Sequence, residues 1–254
     1  MGSVLVYKDA LWNLVAKEIK VRYLGAVLGF AWSFGNPVLF TLTYYFVFTY
    51  IFPSTLPHFA LYIVVGFLHW TLFSLTISQS SETLTTNAGL IKKLNFPKII
   101  IPYASFLVNL VFWLAGLAVF FLAYYWLGGH FSWALLAYPL VLVLYLMFIW
   151  GMGLLLAIAY VKFRDIKHIT DVLIQILFWL TPIVYQVSQL PAQMRHIVQY
   201  NPIAVFVEAF HTILYQSALP SLSTMAVLLA YALVSSILGY LVFRTRADDL
   251  VEHL

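Results

Sequence analysis

The sequence contains no cysteine. That excludes disulfides, thiol nucleophiles, iron–sulfur clusters and cysteine-based zinc sites, while leaving the redox compartment open. Charge is nearly as scarce, at 9% of 254 residues against roughly 25% in soluble domains. The complement is 63% apolar residues and a mean hydropathy of +0.95, more than one globular core can bury, so the chain belongs in a membrane. Seven histidines, at positions 58, 69, 130, 168, 196, 211 and 253, are scattered without paired ligand spacing, so no metal site is expected. A net charge of +4 carries no nucleic-acid signature, and the first residues lack the basic, apolar and cleavage regions of a removable signal peptide.

Apolar runs of about 20 residues cross a bilayer as helices, and charges mark where the runs stop. Six such spans are expected, at 25–52, 59–81, 99–127, 133–161, 170–187 and 222–243, with Pro37 and Pro139 as possible kinks inside two of them. Twelve of the thirteen Lys and Arg residues fall before the first span, between the second and third, after the fourth and after the sixth; only Arg195 lies opposite. Retention of basic loops places that side, and both termini, in the cytoplasm. Ahead of the first span, Leu11, Val15, Ile19 and Tyr23 recur every fourth residue, opposite Asn13, Lys17 and Lys20, which predicts an amphipathic interface helix over 9–24.

The stretch 188–221 breaks this pattern. Pro191, Asn201-Pro202 and Pro220 punctuate it, and Glu208 and His211 interrupt its apolar part, whose fourteen residues would reach only about 21 Å as a helix. Two short helices that dip into the outer leaflet and return are expected. Such backbone is tolerated at membrane depth only beside protein or a water-filled cavity, which ties the segment to a pathway or its gate. Arg195 and Glu208 are the isolated charges there, either paired or separately solvated.

Energy conversion is also missing. Asp171, Glu82 and Glu208 sit at or beyond span ends, so no midplane carboxylate offers ion coupling, and there is no G-x-x-x-x-G-K-[ST] loop to cradle nucleotide phosphates. A pump of this design takes its work from a separate subunit docked on the basic loops. Aromatic residues are abundant instead: eight Trp, seventeen Tyr and twenty-one Phe make 18% of the chain. On the first span Phe30, Phe34, Thr41, Tyr44, Tyr45, Phe48 and Phe52 fall within roughly one hundred degrees. Such a face either stacks on the C–H surfaces of sugars, letting a polar polymer slide, or packs against lipid and neighbouring helices. Gly25-x-x-x-Gly29 at the start of that span suits close helix packing.

Five segments in order carry a resemblance: Arg22-Tyr23-Leu24-Gly25 with Leu28-Gly29, Trp32 and Pro37; Lys92-Lys93-Leu94-Asn95-Phe96-Pro97-Lys98; Phe163-Arg164-Asp165-Ile166; Thr181-Pro182-Ile183-Val184-Tyr185; and Asn201-Pro202 with Glu208-Ala209. Together they resemble the permease subunit of type-2 ABC exporters, in the branch that exports O-antigen and capsular polysaccharide. The resemblance implies an all-α membrane protein: one permease domain over 1–254 with six transmembrane helices, the interface helix, re-entrant periplasmic helices between spans five and six (188–221), and a cytoplasmic tail from 244 to 254. It implies a homodimer in the inner (cytoplasmic) membrane, two copies of a cytoplasmic ABC ATPase below it, and transport of an undecaprenyl-linked polysaccharide to the periplasm. By the same resemblance Leu11, Val15, Leu90, Ile91, Lys92, Lys93 and Leu94 meet the ATPase, and Arg195, Asn201, Pro202 and Glu208 belong to the periplasmic gate. Lys20 and Arg22, just before the first span, are candidates to attract the carrier's pyrophosphate. No cofactor is expected on this chain; ATP and Mg belong to the partner, and the chain is not itself an enzyme. Teichoic acid or a hydrophobic small molecule remains an alternative cargo, and a membrane-embedded lipid-sugar transferase a more distant reading.

Overall fold

The computed structural model describes residues 7–22, 31–51, 56–93 and 96–247. Within them are ten α-helices and no strand: α1 (Lys8–Arg22), α2 (Trp32–Phe46), α3 (Phe59–Thr86), α4 (Ala88–Lys93), α5 (Ile100–Ala123), α6 (Tyr138–Lys162), α7 (Ile166–Trp179), α8 (Ala192–Tyr200), α9 (Pro202–Leu214) and α10 (Leu222–Arg246). A π-helical turn, Val47–Ile51, continues α2, and a 3-10 turn, Trp133–Ala137, leads into α6. Four segments are long and apolar enough to cross a membrane, namely α3, α5, α6 with its 3-10 turn, and α10. Helix is the form these runs must take, because in hydrocarbon every backbone N–H and C=O needs a partner within the chain.

The centre of the molecule is α3, whose apolar stretch is 78% buried, whereas α10 at the margin buries only 28%. Around α3 stand α5, α6, α7 and α9. At one end of the bundle Leu84, Ile91, Ile101, Val161 and Phe243 close a cluster. Lys92, Lys93, Lys162 and Arg164 ring it, so this is the basic end. Leu14 packs on that cluster while Arg22, two turns on, reaches Gln79 and Asn109, so α1 climbs alongside α5, with Val15 buried among Ala104, Val108 and Phe112.

Two expectations change in detail. Pro139 does not kink the interior of the fourth span but sits in the first turn of α6, where its missing N–H leaves no helical acceptor unmatched. The fifth span is shorter than 170–187: α7 begins at Ile166 and stops at Trp179, after 14 residues. The next residues turn instead. Tyr62 donates its hydroxyl to the carbonyls of Pro182 (3.0 Å) and Tyr185 (2.8 Å), and Asn201 Nδ2 donates to the Leu180 carbonyl and to Thr181 Oγ1, both at 3.2 Å. These side chains satisfy carbonyls that a continued helix would have satisfied itself, which makes the break stable.

Candidate functional site

At the end opposite the basic one, α8 and α9 meet at a bend of 97°. Asn201 makes the corner: its side chain accepts from the Ile203 backbone N–H at 3.0 Å, capping α9, and Pro202 occupies the first helical position. α9 is then packed into the bundle. Phe206 lies beside Tyr145 and Phe148, Phe210 stacks on His69 at 3.6 Å, and the Leu214 carbonyl accepts from Tyr124 at 2.7 Å. Since Tyr138 opens α6 and Phe148 is ten residues along it, Phe206 packs about 15 Å from the start of α6.

Buried polar groups fasten α9 to the bundle. His69 Nδ1 donates to the Val65 carbonyl at 2.7 Å, so Nε2 accepts from the Tyr138 hydroxyl at 3.1 Å. His211 Nε2 donates to the Tyr62 carbonyl at 2.8 Å while its ring stacks on Tyr62 with centroids 3.7 Å apart. Gly66 permits that approach, because a Cβ there would lie 3.2 Å from His211 Nε2. Two atoms in the same helix are buried without a hydrogen-bond partner among the described residues, Glu208 Oε2 and His211 Nδ1. Arg195 does not pair with Glu208: its guanidinium donates to the Ser188 and Leu190 carbonyls, both at 2.8 Å, and holds the turn before α8.

The second site is a cavity of about 430 Å³ between α2, α3 and α5. Tyr44 and Phe40 from α2, Phe67 and Leu75 from α3, and Phe112 and Trp113 from α5 wall it, and Arg22 with Gln79 and Asn109 forms its polar end. Arg22 Nη2 donates to Gln79 Oε1 and to Asn109 Oδ1, each at 2.9 Å, and its Cζ lies 4.6 Å from the Phe112 ring centroid. Asn109 is nine residues into α5, about 13 Å from its start. An arginine costs about 2.5–3.5 kcal/mol at the centre of a bilayer. The two carboxamides and the ring face lower that cost here. Beside it on α1, burial raises Glu18 above the ordinary carboxylate range, with Arg22 and Lys17 pulling the other way.

The aromatic face of the first span divides. Thr41 and Tyr44 line the cavity, Tyr44 lying 4.8 Å from Phe67, and Phe48 turns onto Phe59 at 5.5 Å. Phe34 and Tyr45 are exposed. Phe30 and Phe52 lie outside the described residues, as do Gly25-x-x-x-Gly29, Leu94 and the tail beyond 247. At the basic end Val15 and Ile91 are buried and Leu11 and Leu90 half-buried, while Lys20, Lys92 and Lys93 are exposed. Gln79 and Asn109 escaped a sequence search confined to ionisable groups; their signal is an amide side chain inside an otherwise apolar span.

The family described as ABC-2 type transporter matches residues 9–215 of this chain. An O-antigen export system permease protein, RfbA, of Myxococcus xanthus is 28% identical over 250 residues, covering 98% of this chain and 96% of the relative. Its counterpart of the same name in Klebsiella pneumoniae is 27% identical over 237 residues, 92% of this chain and 91% of the relative. A polysialic acid transport protein, KpsM, of Escherichia coli is 22% identical over 250 residues, 97% and 96% of the two chains. With several apolar helices long enough to span a bilayer and a family match over most of its length, the chain is a multi-pass membrane protein that belongs to the ABC-2 type transporter family.

Proposed function

We propose that this chain is the membrane-spanning subunit of an ATP-driven exporter that carries lipid-linked polysaccharide, of the O-antigen type, across the inner membrane to the periplasm. What carries this reading is the full-length similarity to relatives named as O-antigen export permeases, in a chain that has no phosphate loop of its own. The work then comes from two copies of a cytoplasmic ATPase, which hold ATP and Mg. The basic end faces the cytoplasm, as the retention of Lys and Arg requires, and both termini lie there.

In this reading the single domain has six spans, α2 and α7 supplying the first and fifth, and α8 and α9 form a re-entrant periplasmic gate in which Asn201, Pro202 and Glu208 shape the inserted corner and Arg195 locks the approach to it. Two chains assemble around the conduit. Supporting this, α2 and α7 leave apolar side chains uncovered in one chain, among them Leu42, Phe46, Val172 and Ile176. The aromatic face of the first span, from Phe30 and Phe34 through Thr41, Tyr44, Tyr45 and Phe48 to Phe52, lines the sugar path. The outer surface of α1 and α4 receives the ATPase, with Lys92 and Lys93 as outward contacts and Leu11, Val15, Leu90, Ile91 and Leu94 as the apolar support beneath them. Lys20 and Arg22 add their charge to the field that draws the carrier's pyrophosphate.

Replacing Tyr44, Tyr45 and Phe48 together by alanine tests the path. Surface polysaccharide is expected to fall while the ATPase still co-purifies with the permease; undiminished surface polysaccharide would remove these rings from the conduit.

A further inference from the structure

We propose that the cavity between α2, α3 and α5 is a subsite for an uncharged sugar unit of the polymer, positioned by the amide N–H groups of Gln79 and Asn109 and by the aromatic wall beyond them. This deepens the transport reading and rests on it. Two side chains carry the inference. Asn109 is only 1% exposed and Gln79 is half-buried, and both line the cavity. Each gives its oxygen to Arg22 at 2.9 Å, yet neither NH₂ group donates to any group among the described residues. Buried amides ordinarily spend their donors, because an unmatched one forfeits the hydrogen bonds it had with water. Two unspent donors, from two helices and joined through one guanidinium, mark a place for oxygen acceptors that an occupant brings.

Depth and charge narrow the occupant. Asn109 lies about 13 Å along α5 from the basic end, within the hydrocarbon layer rather than among headgroups. Lipids offer only chains at that depth, so the acceptor belongs to something that carries its oxygens across the membrane. Arg22 is already engaged by both amides and lies over the Phe112 ring, and Glu18 acts on it as well, so the hydrogen-bonding capacity left in the cavity is that of neutral amides. Water would satisfy the amides but not the rest of the wall. On α3 the lining extends from Val64 to Gln79, about 22 Å along the helix axis, and beyond the amides it is aromatic, with Phe40, Tyr44, Phe67 and Trp113. The Trp113 indole N–H is taken by the Leu68 carbonyl at 2.8 Å, which fixes that ring in the wall. A pyranose suits both parts: its C–H faces lie against rings, and its hydroxyl and ring oxygens accept from N–H donors.

The test is capture during export. p-Benzoylphenylalanine is placed at Phe67 in the cavity wall, at Tyr45 on the exposed side of α2, or at Val234, which is exposed on α10; exporting cells are irradiated and the purified chain is stained for attached sugar. Polymer is expected on the chain at Phe67 and not at Val234. Asn109→Asp and Gln79→Glu, made one at a time beside the Phe67 probe, keep an oxygen for Arg22 and remove only the NH₂ donors. Each is expected to lower capture at least tenfold per folded chain. Undiminished capture in both would mean that the amides serve Arg22 alone, and overturns the inference. So does capture at Tyr45 with none at Phe67, which leaves the cavity to water, or capture at Val234 equal to that at Phe67. A captured polymer with an acidic group on every sugar overturns it too. The transport reading is scored separately: deleting the chain should abolish surface polysaccharide, and if surface polysaccharide persists that reading fails whatever the capture shows.

Discussion

The close crossing of α6 and α10, where glycines on both helices meet backbone, makes the sharpest mechanical prediction. A Cβ added at Gly151 would lie 2.2 Å from the Ser235 carbonyl oxygen and 2.5 Å from the Ser236 nitrogen; one added at Gly239 would lie 2.3 Å from the Gly151 carbonyl oxygen. Non-bonded carbon contacts settle near 3.5 Å, so the helices must part by about 1.3 Å. The obstructing atoms are backbone, which no rotamer change can move aside. Parting also stretches the bonds from Ser235 Oγ to the Phe148 carbonyl and from Ser236 Oγ to the Met147 carbonyl, both now 2.8 Å. Overpacking costs about 1–3 kcal/mol and an interhelical hydrogen bond averages about 0.6 kcal/mol, so Gly151→Ala and Gly239→Ala should each cost about 2–4 kcal/mol. Two internal controls frame that value. At Gly153 the nearest atom is the Ser80 hydroxyl, 2.7 Å away and able to rotate, so alanine there should cost about 1 kcal/mol or less. At Gly89 nothing lies within 4 Å, and alanine should be neutral or stabilising by about 0.5–1 kcal/mol through helix propensity. Unfolding by SDS in mixed micelles, followed by tryptophan fluorescence, ranks the four variants. If Gly151→Ala unfolds at the same SDS fraction as Gly89→Ala, the account of this crossing is wrong.

Other consequences are as direct. Tyr62→Phe removes the hydroxyl that serves the Pro182 and Tyr185 carbonyls, and should cost about 1–3 kcal/mol. Hydrogen exchange should then quicken locally over residues 181–186; a protection pattern equal to the wild type would show that Tyr62 does not hold the break. Burial raises the Glu18 carboxyl, so the folded chain holds that proton more tightly than the unfolded one. Its stability is therefore highest below the ordinary value of 4.5 and falls as pH rises through that value to the raised one. Glu18→Gln does not titrate, so its thermal midpoint should gain on the wild type across that window; parallel curves would contradict the burial assigned to Glu18.

Much of the fold was legible because long apolar runs with charged boundaries admit few alternatives. Spans expected at 59–81, 99–127, 133–161 and 222–243 correspond to Phe59–Thr86, Ile100–Ala123, Trp133–Lys162 and Leu222–Arg246. The end of the fifth span was placed too far along because Leu180, Ile183 and Val184 keep the sequence apolar past Trp179, although Pro182 marks the stop. Pro182 sets the stop, and the Tyr62 hydroxyl and the Asn201 amide hold the broken segment from a distance. The Thr181-Pro182 and Asn201-Pro202 segments, singled out separately in the sequence, prove to be two halves of one junction. The division of the aromatic face was hidden for a similar reason. A helical wheel groups Tyr44 with Tyr45, but only contact with α3 decides that Tyr44 turns onto Phe67 while Tyr45 stays outside. Arg22 could be placed before the first span, yet its descent to Gln79 and Asn109 needed the path of α1 along α5.

The central claim, that this chain is a passive permease driven by a separate nucleotide-hydrolysing subunit, is tested most directly in sealed proteoliposomes loaded with lipid-linked polysaccharide on one face. The chain together with its ATPase should carry the polymer to the other face only while ATP is hydrolysed, and the chain alone should carry none. Uphill movement by the chain alone would contradict the account.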